Sequence, residues 1–219
     1  MIRALIFDFD GLIVDTEEPT FVCWQETFRE HGHELPLAQY SDRLGRPPGS
    51  RDPLVWLQAK VSYQLDRDAI LARYRARHRE WIDRTEPRPG VLAWVDSARE
   101  RGLGLAIASS SPRSWVVGEL ERLRISDRFD HIRCRDDVAE GKPSPDVYLS
   151  ALSALDVAAG AALAIEDSPH GITAARSAGI RCLAVPNGIT ATLDTSHADY
   201  RLDSFTDAAL DDILTRLDR

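Results

Sequence analysis

Ala4-Leu5-Ile6-Phe7-Asp8-Phe9-Asp10-Gly11 begins with a short apolar run and ends in two aspartates and a glycine. A run of this length is typical of a buried strand. Similar runs recur further along the chain, at residues 104–108, 131–134, 162–165 and 181–185. The segments between them carry apolar residues at helical spacing, as Val91, Val95 and Ala98 do. Strands that alternate with helices predict an α/β fold with a parallel, doubly wound sheet.

The composition is that of an ordinary globular protein, since 43% of the 219 residues are hydrophobic and 28% are charged. The formal net charge of −8 argues against binding to nucleic acid or to an anionic membrane surface. The N-terminal residues resemble neither a secretory signal nor a membrane span, so we expect a cytoplasmic protein. Cys23, Cys134 and Cys182 are scattered and odd in number, and we expect reduced packing residues.

The segment 17–86 interrupts the alternation, because it contains helical stretches and no convincing strand. Breakers such as Gly45-Arg46-Pro47-Pro48-Gly49 separate these stretches. The segment ends near Glu86-Pro87-Arg88-Pro89-Gly90, since two prolines and a glycine cannot continue a helix. We therefore expect an all-helical cap at 17–86 and a core formed by 1–16 and 87–219.

Reactive side chains occur at the ends of several predicted strands. Asp8 and Asp10 end the first strand, Ser109 the second and Glu166-Asp167 the fourth, while Lys142 follows the third. In an open parallel sheet, ligands bind beyond these carboxyl ends. Three or four carboxylates gathered there would repel one another unless a divalent cation offsets their charge. Magnesium prefers hard oxygen ligands, so the sequence predicts Mg²⁺ at Asp8 and Asp167, with Glu166 as a further candidate.

The spacing of Asp8 and Asp10 suggests a pair of groups with separate duties. Residues two apart on a regular strand point the same way, here toward one reacting centre. One carboxylate could attack phosphorus while the other protonates the departing alkoxide and later deprotonates water. Lys142 would neutralise charge on the phosphoryl group, and Ser109 would donate a hydrogen bond to it. The predicted substrate-binding residues are Ser109, Lys142 and Gly11.

Asp8-Phe9-Asp10-Gly11-Leu12-Ile13-Val14-Asp15-Thr16 resembles the first motif of the haloacid dehalogenase superfamily. Ser109 after an apolar strand is similar to the second motif, Lys142 to the third and Glu166-Asp167 to the fourth. The resemblance covers essentially the whole chain and implies a Rossmann-like core, a helical cap and magnesium. It also implies that Asp8 is the nucleophile and Asp167 a metal ligand. Asp10 would be the acid/base and would give the metal its backbone carbonyl.

Within the superfamily, the chain looks most like the phosphatases and β-phosphoglucomutases that carry a small helical cap. The mutases have a histidine where this chain has Thr20, and dehalogenases lack the second aspartate of Asp8-x-Asp10. We expect a magnesium-dependent, monomeric phosphatase of small phosphorylated metabolites, with sugar phosphates foremost. The alternatives are a β-phosphoglucomutase-type phosphomutase and a non-catalytic protein that binds phosphorylated metabolites.

Other residues of the cap and the core carry weaker signals. We expect Trp24, Trp56 and Trp81 to form the packing core of the cap. Arg46 and Arg51 occupy a Gly/Pro-rich loop of the kind that often carries specificity. His170 is expected to be a loop histidine without catalytic duty.

Overall fold

The computed structural model of the protein describes residues 1–44 and 52–217. Within these ranges the chain forms six strands, β1 (Ala4–Phe7), β2 (Gly104–Ala108), β3 (His131–Arg133), β4 (Ala162–Glu166), β5 (Arg181–Ala184) and β6 (Tyr200–Arg201). All neighbouring strands are parallel, in the order β3-β2-β1-β4-β5-β6. The predicted α/β fold with a doubly wound parallel sheet is therefore confirmed. The five predicted strands agree with β1 to β5 to within one residue at each end.

The two-residue strand β6 was not predicted. It lies at the edge of the sheet, where Tyr200 is half-buried and Arg201 is exposed. An edge strand of this length needs no apolar run, so it leaves no clear signal in the sequence.

Nine α-helices within the described ranges accompany the sheet. They are α1 (Glu17–Glu30), α2 (Leu37–Leu44), α3 (Pro53–Gln58), α4 (Arg67–Ile82), α5 (Val91–Glu100), α6 (Arg113–Arg122), α7 (Asp146–Leu155), α8 (Pro169–Ser177) and α9 (Leu210–Leu217). None of these helices has the length and apolar character needed to cross a lipid bilayer. His170 lies in the first turn of α8, so its predicted place in a loop was wrong.

Side chains of the central strands alternate between two apolar layers, because successive residues of a strand point to opposite faces of the sheet. Leu5 and Phe7 of β1 pack into the layer that contains the buried faces of α5, α6 and α9. Ala4 and Ile6 pack into the opposite layer, against α7 and α8. The central strands are thus covered on both sides, as the continuous apolar runs of a parallel sheet require.

The helices α1 to α4 form a third apolar cluster, which includes Trp24, Phe28, Tyr40 and Leu57. No strand occurs among the described residues of 17–86, which fits the expected helical cap. The exact boundaries of the cap, 17–86, remain a prediction. The predicted loop that contains Arg46 and Arg51 lies outside the described residues.

Trp81 does not belong to the apolar core of the cap, so the prediction for this residue was wrong. It is 45% exposed, whereas Trp24 is buried and Trp56 packs partly buried against the cluster. Ile82 is fully buried at the end of α4. Because consecutive helical residues are about 100° apart, Trp81 turns away from the face that Ile82 buries.

Two connections join these four helices to the sheet, and they lie side by side. Val14 in the first connection forms an antiparallel bridge with Pro87 in the second, and the Arg88 amide donates to the Ile13 carbonyl. The guanidinium of Arg88 donates to the carbonyls of Gly11, Val185 and Pro186. Arg88 thus ties the second connection to the loops that follow β1 and β5.

Cys23, Cys134 and Cys182 are buried and free of disulfide bonds, as the sequence predicts. Burial raises the pKa of the Cys23 and Cys134 thiols to about 11 in each case. Burial also raises the pKa of Cys182 well above its ordinary value. The three thiols therefore behave as small apolar groups rather than nucleophiles.

Replacing Gly90 with alanine should destabilise the fold at the second connection. Gly90 has a φ of +87°, and an added Cβ would lie 2.8 Å from the Cβ of Phe205. Gly102 is the matched control, because its φ is +69° and no atom lies within 4 Å of its Cβ position. The left-handed conformation costs about 1–2 kcal/mol in both variants. We expect Gly90→Ala to lose roughly 1–3 kcal/mol more, because of the clash with Phe205.

Urea unfolding of the two variants and the wild type measures these losses. If Gly90→Ala and Gly102→Ala lose the same free energy of unfolding, the contact with Phe205 does not affect stability.

Candidate active site

The sheet reverses its strand order between β1 and β4, and a cavity of about 460 Å³ opens at the carboxyl ends of these strands. Ligands of open α/β sheets bind at such a reversal point. Four of the predicted site residues line the cavity, namely Asp8, Asp10, Lys142 and Asp167. Glu17 and Leu44, from α1 and α2, also line it. The helical segment thus reaches over the end of the sheet.

Lys142 lies between two buried carboxylates. Its Nζ contacts Asp8 Oδ1 in a short ion pair and donates to Glu166 Oε1 at 2.6 Å. The side chains of Lys142, Asp8 and Glu166 are 6%, 8% and 0% exposed, respectively. A buried charge is tolerated only when it is paired and hydrogen-bonded. This ion pair brings the predicted first, third and fourth motifs together at one point.

Glu166 is held by partners that surround both of its oxygens. Tyr148 Oη on α7 donates to Oε1 at 2.6 Å, and the Asp167 amide donates to Oε2 at 3.2 Å. Gly171 in α8 packs over this carboxyl group, where an added Cβ would overlap it. The start of α8 therefore needs a glycine because the chain passes directly against Glu166.

Asp167 is oriented by Asn187, which follows β5. Asn187 Nδ2 donates to Asp167 Oδ2 at 2.8 Å and to the Gly11 carbonyl at 3.1 Å. Gly11 has a φ of +82°, and an added Cβ would lie 2.5 Å from Asp167 Oδ2. A glycine is thus required where the loop after β1 passes Asp167. The contact of Gly11 with substrate remains a prediction.

Asp10 points to a different set of partners from Asp8. Trp115 Nε1 on α6 donates to Asp10 Oδ1 at 2.8 Å, and Ser111 Oγ donates to Asp10 Oδ2 at 2.7 Å. The hydroxyl of Ser109 is 3.5 Å from the same Oδ2 and accepts a hydrogen bond from the Ser111 amide. Asp10 is therefore anchored on the side of the cavity that faces α6.

The serines after β2 occupy different positions around the cavity. Ser109 is 1% exposed and is not one of the residues that line the cavity, while Ser110 and Ser111 line it. The predicted role of Ser109 as a phosphoryl-binding hydroxyl therefore stays a prediction.

Burial and crowding shift the ionisation of these groups. Burial disfavours the charged form of Asp8 and raises its pKa to about 8. The positive charge of Lys142 lowers this pKa only in part, and the negative charge of Glu166 adds to the rise. Burial, together with the charges of Asp8 and Glu166, raises the pKa of Asp167 well above its ordinary value. Burial by itself would lower the pKa of Lys142, but Asp8 and Glu166 raise it above its usual value. The ammonium therefore stays charged, and one positive charge faces three acidic groups.

Three acidic side chains are arranged so that they could share a cation. Asp8, Glu166 and Asp167 each offer a carboxylate oxygen, and these atoms lie within 4.8 Å of one another. Carboxylate oxygens are the donors that Mg²⁺ prefers. The donor set, in which three crowded acidic groups face one ammonium, therefore fits a magnesium ion.

Several residues of this site were missed by the sequence reasoning. Asn187 comes three residues after β5, so the rule that sites form at strand ends could have indicated it. Trp115, Tyr148 and Gly171 lie inside helices, where their residue types give no such signal. Only the packing of α6, α7 and α8 against the strand ends brings them to the site.

A parallel sheet with this strand order and an acidic cavity at its reversal point defines an α/β enzyme of the Rossmann-like class. The chain belongs to the haloacid dehalogenase-like hydrolases, because the sequence model of that family matches residues 5–185. The family resemblance predicted from the four motifs is thus confirmed.

Individual relatives cover nearly the same length. The protein YhcW of Bacillus subtilis, whose name describes it provisionally as a phosphatase, is 40% identical over 99% of this chain and 98% of its own. β-Phosphoglucomutase of the same organism is 30% identical over 85% of this chain and 84% of its own. CbbY from Rhodobacter sphaeroides, in its crystal structure with xylulose-(1,5)bisphosphate, is 30% identical in sequence to this chain. The two structures align with a TM-score of 0.73. The alignment covers 96% of this chain and 98% of the CbbY chain.

Replacing Tyr148 with phenylalanine should destabilise the protein, because the change leaves the buried Glu166 with one fewer donor. A hydrogen bond to a buried charged group contributes about 1.5–3 kcal/mol, and we expect a loss in that range. Tyr200→Phe is the matched control, since Tyr200 Oη donates to the Arg216 carbonyl at 3.4 Å near the surface. Its loss should stay within about 0.5 kcal/mol.

Urea unfolding of both variants measures the difference. A loss in Tyr148→Phe no larger than that in Tyr200→Phe would contradict the assigned support of Glu166.

Proposed function

We propose that the protein is a magnesium-dependent phosphatase that hydrolyses small phosphorylated metabolites through an aspartyl phosphate on Asp8. The observation that carries the proposal is the contact between Asp8 and Lys142 at the cavity, with Asp10 two residues away. A carboxylate nucleophile, a fixed positive charge and a second carboxyl group are the parts that this reaction requires.

The reaction divides between the two aspartates. An oxygen of Asp8 attacks phosphorus as the bond between phosphorus and the ester oxygen breaks. The departing alkoxide takes a proton from Asp10, and an acyl phosphate remains on Asp8. Asp10 then takes a proton from a water molecule that attacks the acyl phosphate. Inorganic phosphate leaves, and both side chains return to their starting forms.

Other side chains would position the phosphoryl group. Lys142 is fixed by Asp8 and Glu166, so its charge lies where a phosphoryl oxygen and the nucleophile would meet. Ser109 and Ser111 place hydroxyl groups near Asp10, from which they could donate to other phosphoryl oxygens. The contacts of Ser111 and Trp115 keep the Asp10 carboxyl group at the edge of the cavity.

Magnesium would be held by Asp8, Asp167 and the backbone carbonyl of Asp10. When bound, the ion would neutralise charge on the phosphoryl oxygens. Asp8 and Asp167 belong to the cluster of three carboxylates, which supports their part of this assignment. Because Glu166 already accepts hydrogen bonds from Lys142 and Tyr148, we assign it the task of holding Lys142 beside the ion.

A relative and the site support the proposed substrate class. The crystallised CbbY binds a sugar bisphosphate, which supports sugar phosphates as the substrates here.

We also propose that 17–86 acts as a cap that excludes water during the reaction, since Glu17 and Leu44 line the cavity. The protein would act as a monomer in the cytoplasm, and its net charge of −8 offers nothing that attracts nucleic acid.

A phosphomutase is the second candidate, favoured by the 30% identity to a β-phosphoglucomutase. This chain also has a histidine beside Thr20, since His78 on α4 places its Nε2 3.0 Å from Thr20 Oγ1. A mutase would return the phosphoryl group from Asp8 to a bound sugar rather than to water. An isomerised sugar phosphate formed without release of inorganic phosphate would identify this activity.

Asp8→Asn should lower the rate of phosphate release by roughly a thousandfold or more, because the amide cannot act as the nucleophile. The measurement is phosphate release from a panel of sugar phosphates, with magnesium or with a chelator. Asp68→Asn is the matched control, since Asp68 is exposed in the first turn of α4. We expect this control to match the wild type, and the chelator to abolish turnover.

Substantial turnover in Asp8→Asn would contradict the assigned nucleophile. A wild-type protein that binds phosphorylated ligands but turns none over with magnesium would favour the non-catalytic alternative.

A further inference from the structure

Glu119 on α6 is a buried carboxylate that does not line the acidic cavity. Its side chain is 2% exposed, and each of its oxygens accepts a hydrogen bond from an arginine. Arg79 Nη1 donates to Oε1 at 3.1 Å, and Arg122 Nε donates to Oε2 at 2.7 Å. Burial of a carboxylate costs free energy unless such partners offset it. Because Arg79 belongs to α4, Glu119 links a helix of 17–86 to a helix that packs on the sheet.

Arg122 extends this link to the end of α4. Its Nη2 donates to the Thr85 carbonyl at 2.8 Å, and its Nη1 donates to the Asp83 carbonyl at 3.3 Å. Asp83 is the C-cap of α4, where backbone carbonyls lack partners within the helix and a guanidinium is favourable. Arg79, Glu119 and Arg122 thus form a clamp between the C-terminal half of α4 and α6.

The clamp lies one helical turn away from the residue that holds Asp10. Trp115 and Glu119 are four residues apart, so they share one face of α6. Trp115 Nε1 donates to Asp10 Oδ1 at 2.8 Å. His78, which precedes Arg79 on α4, has its ring 6.3 Å from the ring of Trp115. The two helices therefore meet at two levels, and the clamp fixes the position of α6 from which Trp115 reaches Asp10.

The proposed reaction makes a strict demand on the orientation of Asp10. Its carboxyl group has to reach the ester oxygen as the alkoxide departs. A displacement of about 1 Å at a reacting group can lower a rate by about a hundredfold. Trp115 holds Oδ1 from α6, whereas Ser111 holds Oδ2 from the loop after β2. A shift of α6 would loosen the first of these contacts and turn the carboxyl group.

We propose that Glu119 is a positioning residue of the enzyme, which holds α6 against α4 so that Trp115 keeps Asp10 oriented for proton transfer. The inference rests on the proposed phosphatase activity and adds a residue outside the acidic cavity. Glu119→Gln tests it, because the change keeps the size of the side chain and removes the charge that pairs with Arg79 and Arg122.

The test compares kcat/KM of the wild type and Glu119→Gln for two esters. The first is the sugar phosphate of the panel that the wild type hydrolyses fastest, because its alkoxide needs the proton of Asp10. The second is p-nitrophenyl phosphate, whose phenolate is stable without a proton. Since kcat/KM covers only the steps up to departure of the alcohol, the later attack of water does not enter. We expect a loss of roughly tenfold for the sugar phosphate and of less than about twofold for p-nitrophenyl phosphate.

A second background tests the route through the indole. Trp115→Phe removes the donor to Asp10 and should lower kcat/KM for the sugar phosphate at least as much as Glu119→Gln does. In this background, Glu119→Gln should change kcat/KM by less than about twofold, because the contact that it supports is already absent. Glu121→Gln is the matched control, since Glu121 is exposed on the same helix, and it should match the wild type.

Should Glu119→Gln fail to fold, Arg79→Ala cuts the link to α4 while Glu119 keeps its pair with Arg122, and we expect the same difference between the esters. Equal losses for both esters, no loss for either, or an undiminished effect in the Trp115→Phe background would overturn the inference while the phosphatase activity stands. Absence of any phosphate release by the wild type would overturn the proposed function and this inference with it.

Discussion

The contact of Lys142 with Asp8 and Glu166 is the interaction on which the site depends. It places one positive charge among three buried acidic groups, with Asp167 as the third. The surrounding structure maintains this charge cluster, since Tyr148 donates to Glu166 and Asn187 donates to Asp167. Burial raises the pKa values of Asp8 and Asp167, and repulsion among the acidic groups raises them further. This crowding of acidic groups is also the physical reason to expect a divalent cation.

The fold brings these charges together because its strand order reverses between β1 and β4. Two neighbouring strands then end in carboxylates at the same edge, and the loop after β3 brings Lys142 between them. The helices of 17–86 reach this edge, and Arg88 links their second connection to the loops after β1 and β5.

The sequence predicted the strands and the charged residues at their ends well, because apolar runs and motif spacing are local features. At the site, the residues that it missed were missed because of packing between distant segments. Gly171 is required by the passage of α8 against Glu166, and Trp115 reaches Asp10 from α6. Neither contact can be derived from the residues alone. Trp81 was assigned to the cap core by its type, although its position beside Ile82 on α4 turns it outward.

Thermal unfolding of the wild type and Asp167→Asn at pH 8, with magnesium and with a chelator, tests the charge cluster most directly. Without magnesium, Asp167→Asn should unfold at a higher temperature than the wild type, because it removes one of three crowded acidic groups. Magnesium should stabilise the wild type, as a ligand of the folded state does, and should stabilise the variant much less. Equal stabilisation of both proteins by magnesium, or none of the wild type, would contradict the account.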